Sequence, residues 1–313
     1  MMIFTTSNTY RVSKLALGTV QLGMDYGIAN HQGVPSVADA HALLAASARS
    51  GINSFDTSPT YGSSEEVLGG YLNGVEKDDL FIVSKFMYDT NQAFNLEKVW
   101  TEVRLIVEQS LTRLGIDKLP LVLYHRGATE SMEQVKKVVP ELLDRLKNEN
   151  LIAHSGISLY YSSDANHLLD DDAFEALQIP LNVLDQAIIA NRTLQNLHDK
   201  RKLIMIRSVF MQGLFWKDPT QLKGKLIAAA LYLKRLNQLA ADYNVSVAEL
   251  AFGFIRDIEG VDSMVIGVEN IEQVRANLRL LNAPTLAQEL RAELWKLSAN
   301  VPIEVNTPAL WNW

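Results

Sequence analysis

At 313 residues the chain is long enough for one large barrel or two small domains, with 48% hydrophobic residues, 21% charged residues and no cysteine. Its net charge of −7 is spread along the chain, which argues against a nucleic-acid or polybasic membrane surface; the lack of cysteine excludes disulfides, thiolate metal sites and cysteine nucleophiles. No apolar run approaches the ~20 residues of a membrane span, and the opening Met-Met-Ile-Phe-Thr-Thr-Ser lacks the pattern of a secretion signal, so a soluble, cytoplasmic protein is expected.

In chain order, Val12–Thr19 reads as a strand, followed by a helix over Ser36–Ser50 with Ser36 as N-cap and Gly51 as its stop. Ile52–Thr57 is the next strand, then a helix over Ser64–Leu72, the strand Leu80–Phe86, and a long helix Leu96–Leu114 closed by Gly115. Leu119–His125, a helix over Met132–Asn148 and the strand Ile152–Ser158 follow. A weak helix near Asp164–Leu169 precedes the strand Leu177–Leu184, and Thr193–Lys200 leads into Leu203–Phe210. After the polar insertion Trp216–Lys225 come helices Leu226–Tyr243 and Ser246–Asp257, the second opening on a Ser246/Glu249 capping box. The strand Ser263–Val268 and a helix over Ile271–Leu281 complete the series.

Alternation of short apolar runs with longer helical patterns, about eight times over, predicts a single (β/α)8 TIM barrel over residues 1–313, with an extra helix before the last strand and a C-terminal tail. The strands are continuous apolar runs, as expected when both faces are buried. A doubly wound open sheet is the alternative, weakened because no Gly-x-Gly-x-x-Gly turn follows the first strand.

Four polar residues stand at strand ends or in the loops just after them: Asp56 and Tyr61 within Phe-Asp-Thr-Ser-Pro-Thr-Tyr-Gly (55–62), Lys85 and His125. Parallel sheets place their chemistry at the C-terminal ends of strands. A carbonyl carbon accepts a hydride only if the alkoxide that forms is neutralised, so a proton donor must reach its oxygen. A phenol beside an ammonium, with a carboxylate holding that ammonium, supplies such a donor. Tyr61 is therefore the candidate general acid, Lys85 its tuning cation, Asp56 the holder of Lys85, and His125 the group that directs the carbonyl. Taken singly, each has a structural alternative: a helix cap, a packed aromatic, a strand-end lysine, a satisfied rim histidine. The six histidines form no close ligand pair, so no metal site is expected.

These residues, with Leu17-Gly18-Thr19, Gly156-Ile157-Ser158, Gln178, Ser208, Ile266-Gly267 and Asn277, make nearly the whole chain resemble the aldo-keto reductases, a nicotinamide-dependent barrel family. The resemblance implies an NAD(P)H-dependent oxidoreductase. Its cofactor would contact Gly18, Thr19, Asp56, Ser158, Gln178, Arg207, Ser208, Gln212, Gly213 and Leu214. Ile266, Gly267, Val268, Glu269, Gln273 and Asn277 would hold the adenosine end. Leu159 stands where the family has an Asn beside the nicotinamide. Arg207 replaces an aromatic and would either stack on the ring or pair with a carboxylate. The family leaning is to NADP(H); Val268, Glu269 and Gln273, where relatives that bind the 2′-phosphate carry Lys, Ser or Arg, suit NAD(H). Glu269 would otherwise serve only the helix dipole, with Asn270 and Gln273 as a capping box.

The substrate pocket would draw on Met24, Tyr26, Tyr61, Phe86, His125, Arg126 and Trp311, which suits a small-molecule carbonyl or sugar-like compound. Trp311 and Trp313 read equally well as anchors of the tail. Two other functions use the same residues: a nucleotide-sensing regulatory protein with negligible turnover, and a sugar lyase or epimerase. The oligomeric state is not legible in these residues.

Overall fold

The computed structural model describes residues 2–5, 10–30, 32–88 and 95–311; His31 and Trp313 lie outside them. Eight parallel strands close on themselves: β1 (Leu15–Gly18), β2 (Ser54–Asp56), β3 (Phe81–Phe86), β4 (Leu119–His125), β5 (Ile152–Ser158), β6 (Ala176–Pro180), β7 (Leu203–Arg207) and β8 (Ser263–Gly267). β8 pairs with β1, Gly267 opposite Gly18, so no barrel edge is left open. This is the (β/α)8 barrel expected from the alternating pattern.

Because successive side chains of a strand point to opposite faces, each strand serves two cores. Ala16, Val83, Leu121, Leu123, Ala176, Leu203 and Met205 fill the barrel, whereas Phe55, Ile82, Val122, Ile157, Leu177 and Ile204 pack under the helices. A short antiparallel hairpin, Phe4–Thr5 with Val12–Ser13, precedes β1, and Tyr10 and Val12 join the inner core beside Phe81 at the start of β3.

Local chemistry sets the helix limits. The helix Val37–Arg49 starts where Ser36 accepts the Asp39 N–H, and Leu96–Leu114 starts where Asn95 accepts the Lys98 N–H. Leu96–Leu114 ends at Gly115, which takes φ +64°, a left-handed conformation that favours glycine. The Ser246/Glu249 capping box is fully formed at the head of Val247–Arg256. That helix and Ala230–Asp242 both intervene between β7 and β8.

Several boundaries differ from the sequence reading, among them the first strand, which divides into Val12–Ser13 and Leu15–Gly18. β7 stops at Arg207 because Ser208 turns to φ +65°. β6 ends at Pro180, and Asp164–Leu169 lies within a 3-10 segment, Ser162–Leu168. The stretch Leu226–Tyr243 divides into a 3-10 segment, Gly224–Ala229, and an α-helix, Ala230–Asp242. Beyond Leu281 the chain forms a further helix, Gln288–Leu297, and a short one, Ile303–Asn306. Leu290, Leu294 and Leu297 bury one face of the former.

Candidate active site

At the C-terminal mouth of the barrel the inner core changes from apolar to polar within one layer. Moving one inward position past Leu123 on β4 reaches His125, and past Val83 on β3 reaches Lys85. Asp56, Ser158 and Arg207 occupy the corresponding ends of β2, β5 and β7, and Gln178 lies two residues before the end of β6, with Ser158 directly opposite both His125 and Gln178.

Lys85 is the centre of this layer. Its ammonium donates to both Asp56 oxygens, at 2.9 and 2.7 Å, and to the Thr57 carbonyl at 2.9 Å. It lies 4.9 Å from the centre of the Tyr61 ring. Burial opposes the charge, but Asp56 and then Tyr61 outweigh it, so Lys85 is held above the ordinary lysine range. A buried cation needs this compensation, since an unpaired one would shed its proton.

Gln178 reaches across the barrel and donates Nε2 to Asp56 Oδ1 at 2.6 Å, while its Oε1 accepts from Ser158 Oγ at 3.0 Å. The carboxylate accepts only, which fixes the amide with its nitrogen toward Asp56. His125 is pushed down to about 3, first by burial and then by the charges of Lys85 and Arg207. Its imidazole is therefore neutral at physiological pH, and its buried Nδ1 has no hydrogen-bond partner among the described residues. Burial, then the neighbouring Tyr61, raises the Tyr26 phenol, so Tyr26 stays protonated.

A cavity of about 710 Å³ opens beside this layer. It runs from Asp56, Tyr61, Gln178 and Arg207 to Glu269, Gln273 and Asn277 in the β8 loop and the helix Ile271–Leu281. Two loops meet over it. Ile28 N–H donates to the Gln212 carbonyl at 3.0 Å, and Gln212 Nε2 donates to the Tyr26 hydroxyl at 2.8 Å. Gly213, at φ +91°, is required there: a Cβ would come within 2.4 Å of Ala29 Cβ. Met211 and Gln212 share the left-handed conformation, at φ +49° and +53°.

Of the expected cofactor residues, Gly18, Asp56, Gln178, Arg207, Ser208, Gln212, Gly213, Ile266, Gly267, Glu269, Gln273 and Asn277 line the cavity. Ser158 stands just behind it through Gln178. Thr19 does not line it: its hydroxyl is fully buried on the Asp56 carbonyl and Ser64 Oγ. Leu214 and Val268 turn into the core instead. Among the described residues Arg207 pairs with no carboxylate; its guanidinium bonds Ser208 Oγ at 3.0 Å and the Leu159 carbonyl at 2.8 Å.

The expected substrate residues divide further. Tyr26 and Tyr61 line the cavity. Phe86 does not: one step beyond Lys85, it takes the opposite face of β3 and packs outside the barrel against Tyr124, ring centres 5.5 Å apart. Arg126, likewise one step past His125, pairs with Asp164 at 2.6 Å and bonds the Glu130 carbonyl. Met24 is exposed and outside the lining. Trp311 is buried in the tail, donating Nε1 to the Glu304 carbonyl at 2.8 Å, so it is an anchor. Phe210 lines the cavity without having been expected, alongside Gln21 of the first loop and Trp216 and Lys217 of the insertion after β7. The strand-end rule does not reach them, since all lie in loops or short turns.

The buried Gln21 Oε1 and Arg207 Nε lack hydrogen-bond partners among the described residues, and both side chains border the cavity. Unsatisfied buried polar atoms next to a large cavity fit a polar ligand with its own donors and acceptors. Among the described residues no group of three His, Asp or Glu side chains is arranged to hold a metal ion, and no helix is long and apolar enough to cross a membrane.

A closed barrel with a buried lysine–carboxylate pair beside a phenol defines the class of nicotinamide-dependent barrel oxidoreductases. The model of the Aldo/keto reductase family matches residues 14–298, and the chain belongs to that family. It is similar to the NADH-specific methylglyoxal reductase of Escherichia coli, 26% identical over 266 residues covering 75% of this chain and 80% of the relative. It is also similar to the D-arabinose 1-dehydrogenase of Saccharomyces cerevisiae, 27% identical over 247 residues covering 73% and 72%. The solved holo form of the aldo-keto reductase AKR11C1 from Bacillus halodurans shares the fold, with a TM-score of 0.78 at 21% identity over 98% of this chain and 100% of that one. The protein is thus an NAD(P)-dependent oxidoreductase of the aldo-keto reductase type.

Proposed function

We propose that the protein reduces the carbonyl group of an aldehyde, ketone or sugar to an alcohol, with Tyr61 as general acid. One observation carries this reading: the buried Lys85 ammonium sits between the Asp56 carboxylate and the Tyr61 ring, both of which line the cavity. A purely structural lysine has no need of a phenol on its second side.

A nicotinamide dinucleotide in the cavity would be held by Gln178, Ser208, Gln212, Gly213 and the Ile266–Glu269 segment, and when reduced supplies the hydride. The chain's own task is the proton. As negative charge builds on the carbonyl oxygen, Tyr61 donates its hydroxyl proton, and Lys85 stabilises the phenolate left behind. Asp56, bonded by both Lys85 and Gln178, keeps the ammonium charged and fixed. Neutral His125 positions the carbonyl without competing for the proton. Run in reverse, Tyr61 is the base for alcohol oxidation.

The substrate class rests on the polar side chains Asp56, Tyr61 and Arg207 in the cavity wall and on relatives named for methylglyoxal and D-arabinose. The test is a panel of aldehydes, ketones and aldoses offered with a reduced nicotinamide carrying deuterium at its transferable position. Deuterium should appear on the carbinol carbon of the product. Conversion of a panel member without label transfer, or without net oxidation of the nicotinamide, overturns the proposal.

A further inference from the structure

Three fully buried hydroxyls meet just behind the polar layer. Thr19 follows β1, Thr57 follows β2 and Ser64 opens the helix Ser64–Leu72; none of the three lines the cavity. Ser64 Oγ lies 2.6 Å from Thr19 Oγ1 and 3.0 Å from Thr57 Oγ1. Thr19 Oγ1 donates to the Asp56 carbonyl at 2.9 Å. A hydroxyl has one proton to give. Thr19 gives its own to Asp56, so Ser64 donates to Thr19, whose carbonyl it also faces at 3.0 Å, and Thr57 donates to Ser64. Donation therefore runs one way, from Thr57 through Ser64 and Thr19 to the backbone of Asp56.

Each member of this chain is one bond from a group of the active layer. The Thr57 carbonyl accepts from Lys85 Nζ at 2.9 Å. The Asp56 carbonyl takes both the N–H and the hydroxyl of Thr19. The Ser64 N–H donates to the Tyr61 carbonyl at 3.1 Å. The backbone of Tyr61 is also pressed by the first loop: a Cβ at Gly23 would come within 2.1 Å of the Tyr61 carbonyl oxygen. The helix Ser64–Leu72 opens with no side-chain cap, so its start is fixed through Ser64.

We infer that Ser64 is a positioning residue for the proton transfer: its hydroxyl, bonded to Thr57 and Thr19, sets where Tyr61 stands relative to the Lys85 ammonium. This rests on the reading of Tyr61 as general acid and deepens it. Without the Ser64 hydroxyl, the Thr57 hydroxyl has no partner among the described residues. An unpaired buried donor is costly, so the segment must shift to satisfy it. That segment carries the carbonyl that holds Lys85, and a small displacement between reacting groups slows a reaction steeply.

The experiment measures carbonyl reduction by the full-length protein, with a substrate found in the panel, for wild type, Ser64→Ala, Thr57→Val and Thr57→Ser. Ser64→Ala should lower kcat at least about tenfold while KM and the affinity for reduced cofactor stay as in wild type. The alkaline limb of its pH–rate profile should move to higher pH, because an acid farther from an ammonium keeps its proton longer. Thr57→Val, which keeps the shape and removes the donor, should repeat both effects. Thr57→Ser, which keeps the donor, should recover most of the rate that Thr57→Val loses. Variants that lower the melting temperature while kcat and the pH profile stay unchanged overturn the inference, as does an active Val beside an impaired Ser at position 57; carbonyl reduction then still stands. Should Ser64→Ala not fold, the two Thr57 variants decide. A wild type that reduces no carbonyl, or a Tyr61→Phe variant as fast as wild type, overturns the general-acid reading and this inference with it.

Discussion

Lys85 Nζ lies 2.7 Å from Asp56 Oδ2, and the two side chains are only 1% and 5% exposed. Breaking a buried pair by removing one partner leaves the other charge uncompensated, at a cost of about 3–5 kcal/mol. Asp56→Asn is expected to lower unfolding free energy by that order in a denaturant titration. It should also lower kcat about 100-fold or more, because Lys85 then loses the anion that keeps it charged and placed. Loss of stability with full activity would separate the pair from the chemistry.

The imidazole of His125 gives a pH signature. Burial, then the charges of Lys85 and Arg207, push its pKa in the fold down to about 3, from the ordinary 6.5 of a free imidazole. In the unfolded chain it therefore takes up a proton near pH 6.5 that the folded protein refuses. The contribution is fully present above pH 6.5 and is lost as pH falls toward 3, at about 1.4 kcal/mol per pH unit for a single group. Unfolding measured across that window should show a shallower pH slope for His125→Gln than for wild type.

A second charged cluster, at the opposite mouth of the barrel, should affect stability and leave turnover alone. Glu175, just before β6, accepts from Tyr10 at 3.0 Å, bonds His154 Nδ1 at 2.8 Å and pairs with Lys147. Despite partial burial, His154 and then Lys147 hold its carboxyl down at about 2. Its stabilisation is present above the ordinary carboxylate pKa near 4.5 and is lost as pH falls through 2. Glu175→Gln is expected to reduce stability by about 1–3 kcal/mol at neutral pH with kcat/KM unchanged, as fits the N-terminal face of a barrel.

Trp311 separates an anchored tail from a pocket wall. Its ring is buried and its Nε1 is bonded within the tail. Trp311→Ala should cost about 3 kcal/mol in a thermal or denaturant melt, with substrate selectivity intact. A changed ranking of substrates would place the tail at the site after all.

The four polar residues at or just after the strand ends were legible because they follow apolar runs or sit in a compact motif. The barrel was legible because eight such runs alternate with capped helices. Phe86 and Arg126 were misplaced for one common reason: each neighbours an inward residue, and a pleated strand sends neighbours to opposite faces. The bond from Gln178 to Asp56 spans 122 positions in the chain, a distance over which no local pattern speaks. The left-handed turn at Met211–Gly213 carries only one glycine and two residues that rarely take that conformation, so it was invisible to turn chemistry. The helix Gln288–Leu297 was passed over as tail, although its leucines at 290, 294 and 297 have helical spacing.

The central claim is that Tyr61 delivers the proton. It is tested most directly by single-turnover reduction of a substrate found in the panel, with wild type and Tyr61→Phe saturated with reduced cofactor and cofactor affinity measured alongside. The variant should bind cofactor as wild type does and reduce the carbonyl at least about 100-fold more slowly. A Phe variant that reduces the carbonyl at the wild-type rate would contradict the claim.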